Sequence, residues 1–553
     1  HPRAGTSSGA PVSARSIPTL AWSLARQWWR QLLALTAACA VVAATIAGAL
    51  GVGDALQGGL RALALERLGG IVATVVGDDY FRAELAREVS RADPTEKSGF
   101  PPAATVVPAI VLEVALDAPG SVSRDPRSCR ATLLACEDAT ALRFEPPPPA
   151  VGPDEVAIND LVARNLGVSI GDTIVLRIAK RSDVPADSPL GRRTMESLGR
   201  RLRVAAILPE RGIGRFSLRP TQVTGGMALV TLDTAQGVLR KGDVANAALA
   251  VGDIDAPSVR LALHPTLEDF GLRLEVVDGG DAGVLRLSSR RLLLPAEIDR
   301  AAVEVLAPLG GKPTLAFLVN EIAVPAAKGL PAASIPYSTV LAIDSPSLPV
   351  GSLTDDGGQT LTLPHDDGIV IDRWMADDFA TQGHPVAVGD EVEVRLFRSE
   401  TLHGRVEETV HRLQITGIAR MDGAAVARSL VPEVEGITDE KSIADWDPPF
   451  PFDRSKVRTV PPHDEDDRYW KAHGATPKAF VSLACGERLA GSRFGTTTAW
   501  FVPEFFGREA IAERLAAAIV PERVGLRVEA ARADALAAAK GSTPFGGLFL
   551  ALS

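Results

Sequence analysis

An acidic stretch late in the sequence carries the residue types that bind metal ions. PHDEDDRYW, residues 462–470, holds one histidine followed by four consecutive carboxylates. Carboxylates beside a histidine could hold a divalent cation. Consecutive side chains leave the backbone in different directions, however, so these acids cannot all point to one centre. The pattern therefore favours a solvated loop over a metal site for His463, Asp464, Glu465, Asp466 and Asp467.

Two further polar groups adjoin prolines. The aspartates of LPHDDG, residues 363–368, are predicted to form the turn before a strand. The sequence Asp445-Trp446-Asp447 precedes the proline-rich stretch PPFPFD. It could form the lip of a binding site, but the pattern favours a tryptophan packed on a rigid proline loop.

Four cysteines offer limited redox chemistry. Cys39 lies in an apolar run and Cys485 stands alone in the sequence. Cys129 and Cys136 flank a short segment, and in an oxidising compartment they could form a disulfide. Two unpaired thiols are the alternative, and both remain open because spacing does not fix geometry.

Several motifs of catalysis are missing from the sequence. It has no GxxxxGK[ST], so the chain cannot bind ATP through a P-loop. It has neither HExxH nor the paired CxxC of a zinc site. We therefore predict no catalytic, cofactor-binding or metal-binding residues, and a membrane-tethered hydrolase finds no support. The net charge of −10 does not suggest a nucleic-acid partner.

Two segments share one pattern of strand, short helix, Gly-Asp turn and strand. They are residues 154–178 and 367–397. Gly171-Asp172 and Gly389-Asp390 are the predicted turns, because glycine tolerates a positive φ and aspartate can accept hydrogen bonds from nearby backbone N–H groups. The pattern predicts two related units, although it also occurs in unrelated folds. Apolar residues alternate after each turn: Ile174, Leu176 and Ile178 in one segment, Val392, Val394 and Leu396 in the other.

An uncharged run at residues 31–53 is long enough to cross a membrane. As a helix it would span about 35 Å, against about 30 Å for a hydrocarbon core. The first 30 residues carry four arginines and no acid, while the whole chain is acidic. The positive-inside rule therefore places residues 1–30 in the cytoplasm and the remainder outside. A cleaved signal peptide and a buried core helix are the alternatives, and the length of the run and the Trp28-Trp29-Arg30 flank favour the membrane helix.

The helical pattern continues beyond the membrane run until Gly69-Gly70, which predicts a stalk. The predicted fold class is α+β, with a transmembrane helix and helical stalk followed by a large extracytoplasmic mixed α/β body. The predicted segments are a basic leader (1–30), the transmembrane helix (31–53), the stalk (54–70), a first unit with an insertion (71–345), a second unit (346–541) and the start of a truncated second transmembrane helix (542–553).

The stretch VAINDLVARNLGVSIGDTIVLRI, residues 156–178, resembles the periplasmic domain of FtsX-like and MacB-like ABC transporter permeases. In that family a strand, N-[DE]-x-[LV]-A, an LGV-x-x-GD turn and a second strand follow in this order. GIGRFSLRPTQ (212–222), MALVTLDTAQGVL (227–239) and Asn246 are similar to the family's next segment. The first match rests on Asn159, Asp160, Ala163, Leu166, Gly167, Gly171 and Asp172.

The resemblance implies a permease in the bacterial cytoplasmic (inner) membrane, with its large domain in the periplasm. Such a permease works as a homodimer or paired permease, in contact with membrane lipid, and a separate cytoplasmic ABC ATPase subunit binds the ATP. The ATPase drives the stalk, which moves the outer domain to export or extract lipoprotein, peptide or drug-like cargo or to act on an envelope protein. The outer domain here is roughly twice the family's usual length. The alternative is a single-pass envelope binding or scaffolding protein without an ATPase.

Overall fold

The computed structural model describes residues 17–91, 104–118, 127–179, 197–219, 224–277, 283–326, 332–363, 367–398, 407–448, 450 and 452–539. Its helices are α1 (Ile17–Gln27), α2 (Trp29–Glu66), α3 (Ala83–Ser90), α4 (Asp160–Leu166), α5 (Leu232–Leu239), α6 (Ala256–Ala262), α7 (Ala296–Val305), α8 (Arg373–Thr381), α9 (Glu465–His473), α10 (Leu483–Ala490), α11 (Arg508–Ala518) and α12 (Ala531–Ala539).

Most of the strands fall into two large sheets. In chain order they are β1 (Ile71–Arg82), β2 (Thr105–Asp117), β3 (Ser128–Cys136), β4 (Glu155–Asn159), β5 (Thr173–Ala179), β6 (Ser197–Leu208), β7 (Met227–Thr231), β8 (Val244–Val251), β9 (Leu272–Val277), β10 (Val284–Ser289), β11 (Lys312–Val324), β12 (Ala333–Ile343), β13 (Ser347–Leu348), β14 (Gly351–Ser352), β15 (Gly368–Asp372), β16 (Glu391–Phe397), β17 (Glu408–Ala419), β18 (Ala479–Ser482), β19 (Ala499–Pro503) and β20 (Leu526–Glu529).

Helix α2 joins the predicted membrane segment and the predicted stalk without a break over 38 residues. Its length is about 57 Å, so it exceeds a hydrocarbon core by more than 20 Å. By length and composition it is the one candidate membrane span among the described residues, and no part of its most apolar window is buried within the chain. The alternative of a buried core helix is therefore wrong. The predicted second membrane segment, 542–553, lies outside the described residues.

Each half of the body contains a closed six-stranded barrel. The first has the strand order β2-β3-β7-β4-β6-β5 and closes where β5 pairs with β2. The second has the order β11-β12-β18-β15-β17-β16 and closes where β16 pairs with β11. Each of the six pairings has the same sense, parallel or antiparallel, in both barrels. The prediction of two related units in an α+β body is confirmed.

The details of the two barrels also correspond. The parallel pairing β4–β6 shifts register between Val156 and Ala157, and β15–β17 shifts between Ile369 and Val370. The alternating residues that follow each Gly-Asp turn are buried, as predicted, and their side chains enter the two barrel cores. The repeated sequence pattern therefore reflects a repeated structure and not a chance likeness.

Beside each barrel lies a four-stranded antiparallel sheet. The first has the order β20-β1-β8-β2 and the second β9-β10-β19-β11, which is the strand order of a ferredoxin-like βαβ-βαβ unit. The outer strands are exchanged: β9 follows α6 of the first unit but pairs with β10, whereas β20 follows α11 of the second unit but pairs with β1. Reciprocal strand exchange therefore joins the two units.

The exchange corrects the predicted boundary at residue 345. Strands β9 to β12 already belong to the second sheet, so residues 272–343 are part of the second unit and not of the first. At the other end, β20 belongs to the first sheet. Hydrophobic pattern alone could not reveal this, because an exchanged strand has the same sequence character as one that stays with its own unit.

A charged contact holds the segment in which the chain passes from the first unit to the second sheet. Asp269, which is almost fully buried just before β9, accepts hydrogen bonds from the backbone N–H of Arg82 at 3.0 Å and from its guanidinium at 2.7 Å. Because Arg82 ends β1, this contact ties the departing segment of the first unit to the sheet that it leaves.

Candidate functional site

The base of the stalk is where α2 meets the body. On the last turns of α2, Leu60 and Ala64 lie four residues apart and therefore on one helix face, and Leu68 follows in the turn after the helix. They pack in one apolar cluster with Ala531, Ala535 and Ala539, which have the same spacing on α12. Alanine side chains allow two helices to approach closely. The stalk is therefore a pair of helices at its base, one entering the body and one leaving it.

A second segment, which contains Leu142 and Phe144, packs around the end of the stalk. The backbone N–H of Gly70 donates to the carbonyl of Leu142 at 2.8 Å. Phe144 packs edge-to-face against Phe216, with ring centroids 6.2 Å apart. Gly69 has φ +56°, and it lies against Leu142 and Phe144 where no side chain would fit. The chain therefore turns sharply between stalk and sheet in a tightly packed corner.

The segment GIGRF forms the third wall of this corner. The N–H of Gly212 donates to Glu66 Oε1 at 3.0 Å, and Arg215 approaches the other carboxylate oxygen at 3.8 Å. Arg67 donates to the carbonyl of Arg219 at 2.6 Å. Burial lowers the pKa of Arg67. Glu66, the last residue of α2, and Arg67, which follows it, are thus bonded directly to this loop.

Asn159 connects the family-like motif to the same corner. Its side-chain oxygen caps α4 by accepting from Val162 N–H at 3.2 Å, and its amide donates to the carbonyls of Gly214 and Gly225 at 3.0 and 2.8 Å. Asn159 is fully buried, so these bonds replace lost contacts with water. The neighbouring Asp160 is partly exposed and pairs with Arg164. Asn159 therefore positions the loop that holds the end of the stalk.

Three elements enclose the end of α2: helix α12, the segment 139–144 and the loop 212–219. Interlocked side chains and backbone hydrogen bonds resist relative motion, because packed interiors do not deform continuously. The end of α2 is therefore held firmly against the first unit. We refer to the end of α2 together with these three elements as the stalk joint.

We expect Gly69→Ala to destabilise the stalk joint by about 2 kcal/mol. The added Cβ would lie 2.8 Å from Phe144 Cδ1 and 2.9 Å from the Leu142 carbonyl, on a backbone with positive φ. Gly59→Ala is the matched control, because its Cβ meets nothing within 4 Å in the helix and should stabilise slightly. Urea denaturation followed by circular dichroism measures both, and equal stability of the two variants would contradict the packing described.

The two predicted Gly-Asp turns have the same geometry but lie away from the joint. Gly171 and Gly389 have φ of +95° and +104°. Asp172 accepts from the N–H of Ser169 at 2.7 Å, and Asp390 accepts from the N–H of Ala387 at 2.8 Å. These residues shape the turns that lead into β5 and β16. They serve the fold of each barrel.

The two cysteines offered as a disulfide are not brought together. Cys129 and Cys136 lie near opposite ends of β3, and both are free thiols. Seven residues of extended strand separate their Cα atoms by about 23 Å, and a disulfide needs less than about 7 Å. Burial raises the pKa of the Cys136 thiol to about 12. The alternative of two unpaired thiols is the one that the structure has.

The acidic stretch is helical and partly buried, which corrects the expectation of a solvated loop. Among the described residues no group of histidine, cysteine and acidic side chains could hold a metal ion. Asp466 is buried and accepts from three nitrogens of Arg458, at 2.6 to 3.0 Å. Asp467 is held by Ser442 and Lys471. The run opens α9, where acids favour the positive end of the helix dipole.

Two buried ionisable residues of the second unit, Asp372 and Lys478, have no ionisable counterparts in the first unit. Asp372, at the position of Asn159, caps α8 by accepting from Met375 N–H at 2.7 Å and also accepts from the hydroxyl of Tyr469 at 3.3 Å. Lys478 occupies the position of Met227, as the matching strand registers show. Its ammonium lies 4.6 Å from the rings of both Trp374 and Tyr469.

Burial raises the pKa of Asp372 to about 7, against the lowering effects of the Met375 N–H and of Lys478. The folded chain therefore keeps a proton that an unfolded aspartate releases near pH 4. Asp372 therefore adds to the free energy of unfolding below pH 4, and this contribution is lost as the pH rises towards 7. Asp377 and the Tyr469 hydroxyl also face Asp372, and Asp378, Asp466 and Arg458 face Lys478.

We expect the free energy of unfolding to fall by up to about 1.4 kcal/mol per pH unit between pH 5 and 7 because of Asp372. Asp372→Asn should remove that dependence, because the amide does not titrate. Urea denaturation of both proteins at several pH values measures the slope. An unchanged slope in the variant would show that other groups cause it.

Sequence reasoning missed α12 and the segment 139–144 as parts of the joint. The signal for α12 was present: alanines recur at 531, 535 and 539 with helical spacing. Alanine buries little area, so such a stripe does not stand out from the polar faces around it. The contacts of Leu142 and Phe144 are non-local and leave no pattern in the sequence.

Comparisons with known proteins give weak structural similarity only. No family model matches the chain, and no curated protein matches it. The periplasmic region of MacB from Actinobacillus actinomycetemcomitans is similar with 9% identity and a TM-score of 0.22, covering 36% of this chain and 82% of that one. The extracellular domain of the noncanonic ABC-type transporter YknZ from Gram-positive bacteria has 10% identity and a TM-score of 0.20, covering 34% and 87%. The fold described above does not depend on these scores.

Proposed function

We propose that the chain is part of the permease subunit of an ABC transporter of the mechanotransmission type. In this proposal α2 crosses the bacterial inner membrane and the body lies in the periplasm. A separate cytoplasmic ATPase subunit binds ATP and moves the membrane helices, and a second permease subunit completes the assembly. The chain itself has no catalytic or cofactor-binding residue in this scheme. The cargo is a lipoprotein, a peptide or a drug-like molecule.

One observation carries the proposal: α2 runs unbroken from its apolar part to the stalk joint. A flexible linker after the membrane segment would tether the body but would not move it, because unstructured chain transmits little force. A continuous helix clamped on three sides moves with the sheet that it enters. The sequence resemblance of residues 156–178 and 212–246 to permease periplasmic domains supports the same conclusion.

Affinity purification of the full-length gene product from its native membrane tests the proposal. We expect an ATPase with a P-loop to co-purify, and the isolated complex to hydrolyse ATP. Replacing the P-loop lysine of that ATPase should abolish hydrolysis while the complex remains intact. Purification of the chain without any nucleotide-binding subunit would contradict the proposal and would favour a single-pass scaffolding protein.

A further inference from the structure

The second unit is inserted into the first as one continuous stretch of chain. It runs from β9 to α11, and it lies in the sequence between α6 and β20 of the first unit. The chain enters it through residues 263–271 and leaves it through residues 519–525, which we call the first and second crossings. A domain attached by two such segments can rotate about them as a hinge.

The two units share little packed surface outside the crossings. Each cluster of buried apolar side chains lies within one unit and its adjoining crossing. Phe270, in the first crossing, is the one described residue that packs against a cluster of each unit. The extensive contacts between described elements of the two units also involve a crossing. Domains without a large apolar interface are expected to move relative to each other.

Each crossing passes from one core to the other within a few residues. Leu263 is buried in the core of the first unit, and Leu267 is buried in a core of the second. In the second crossing, Val524 packs against the second unit and Leu526 is buried in the first. Gly525 lies between them with φ +90°, a conformation that glycine adopts without steric cost. Residues 264–266 and Gly525 are therefore the pivots of the hinge.

A buried charged contact spans the first pivot. The side chain of Asp269, which follows this pivot, accepts from the guanidinium of Arg82 at 2.7 and 3.1 Å, and Arg82 ends β1 of the first unit. A rotation of the second unit would carry Asp269 away from Arg82. The pair Arg260–Glu522 also reaches a crossing, at 2.9 Å, but both side chains are exposed, so the pair contributes little.

We propose that the second unit swings as a rigid body about residues 264–266 and Gly525, and that the contact of Arg82 with Asp269 latches it in the conformation described above. The swing changes the distance between the two barrels, while the packing inside each unit is kept. Ile170 and Val388 precede the equivalent Gly-Asp turns of the two barrels, and each is 64% exposed. Labels at these positions report the distance without disturbing a core. The inference does not depend on the proposed transport function.

Double electron–electron resonance on the purified full-length protein in detergent measures this distance. Cys39 and Cys129 are replaced by serine, Ile170→Cys and Val388→Cys carry nitroxide labels, and dilution with unlabelled protein removes distances between copies. The unlatched protein should populate further distances. Arg82→Gln removes the guanidinium but keeps the backbone donor, and we expect it to raise the population of these further distances at least about tenfold, because charge-assisted hydrogen bonds are lost.

Matched variants separate a swing from local unfolding. Glu88→Gln removes the other partner of Arg82, which lies in the first unit, and should leave the distance distribution unchanged. Phe270→Ala, which removes the shared apolar contact, should broaden it. Labels at Val388→Cys and Val460→Cys, both in the second unit, should keep one distance in every variant. No broadening with Arg82→Gln and Phe270→Ala, an equal effect of Glu88→Gln, or equal broadening within the second unit would each overturn the proposal.

Discussion

Replacing Lys478 by methionine is expected to lower the free energy of unfolding at pH 8 by about 1–3 kcal/mol. Asp372 is fully buried, and the substitution removes the cation whose charge favours its ionised form. Methionine fits the position sterically, because Met227 occupies it in the first unit. The loss therefore comes from the Asp372 carboxyl, which must take up a proton once the cation is gone, and not from a cavity.

The double variant Asp372→Asn, Lys478→Met should recover most of that loss. It recreates the pair Asn159 and Met227 of the first unit, which folds the same local structure without charge. Replacing two interacting buried charged residues by neutral ones of similar volume is often close to neutral in stability. Urea denaturation at pH 8 of both single variants and the double variant gives the coupling energy. Additive losses would show that the two side chains do not act as a pair.

Replacing Ala535 by aspartate should detach α12 from the stalk. Ala535 is 3% exposed in the cluster that joins α12 to α2, and a carboxylate there would be buried without a partner. A cost of about 3 kcal/mol or more would raise the open population of α12 at least about 100-fold. Amide hydrogen exchange over residues 531–539 measures this opening.

Ala537→Asp is the matched control, since residue 537 is exposed on the same helix. Its exchange should stay close to that of the unchanged protein. Within the proposed transporter, Ala535→Asp should also leave ATP hydrolysis intact while cargo movement fails. Equal exchange in the two variants would contradict the pairing of α12 with the stalk.

The strand exchange gives the stalk joint its second helix. Because β20 returns from the second unit to pair with β1, the chain leaves the body next to the point where it entered. Without the exchange, β20 would lie beside β10 and α12 would lie far from α2. The body therefore holds two units while helices α2 and α12 remain adjacent.

Local patterns predicted much of the fold. The Gly-Asp turns were found because a positive φ at Gly171 and Gly389 and an accepting aspartate after each leave a clear trace in sequence. The long helix was found from the uncharged run and its flanks. The exchange of β9 and β20 could not be found, because strand partners far apart in sequence are chosen by tertiary packing.

The stalk joint was predictable only in part. The stalk and GIGRF were recognised separately, but their contact through Glu66 and Gly212 depends on the folded geometry. The buried pair of Asp372 and Lys478 was hidden for another reason. Charged residues are mostly exposed, so sequence reasoning places them on the surface.

Cysteine labelling of the full-length protein in spheroplasts tests the central claim, that the body and the N-terminal region lie on opposite sides of a membrane. Cys39 and Cys129 are first replaced by serine, and a single cysteine is introduced as Val460→Cys or Ser7→Cys. Residue 460 is 71% exposed on the body. A membrane-impermeant maleimide should label the first variant in intact spheroplasts and the second only after permeabilisation. Labelling of both, or of Ser7→Cys alone, before permeabilisation would contradict the account.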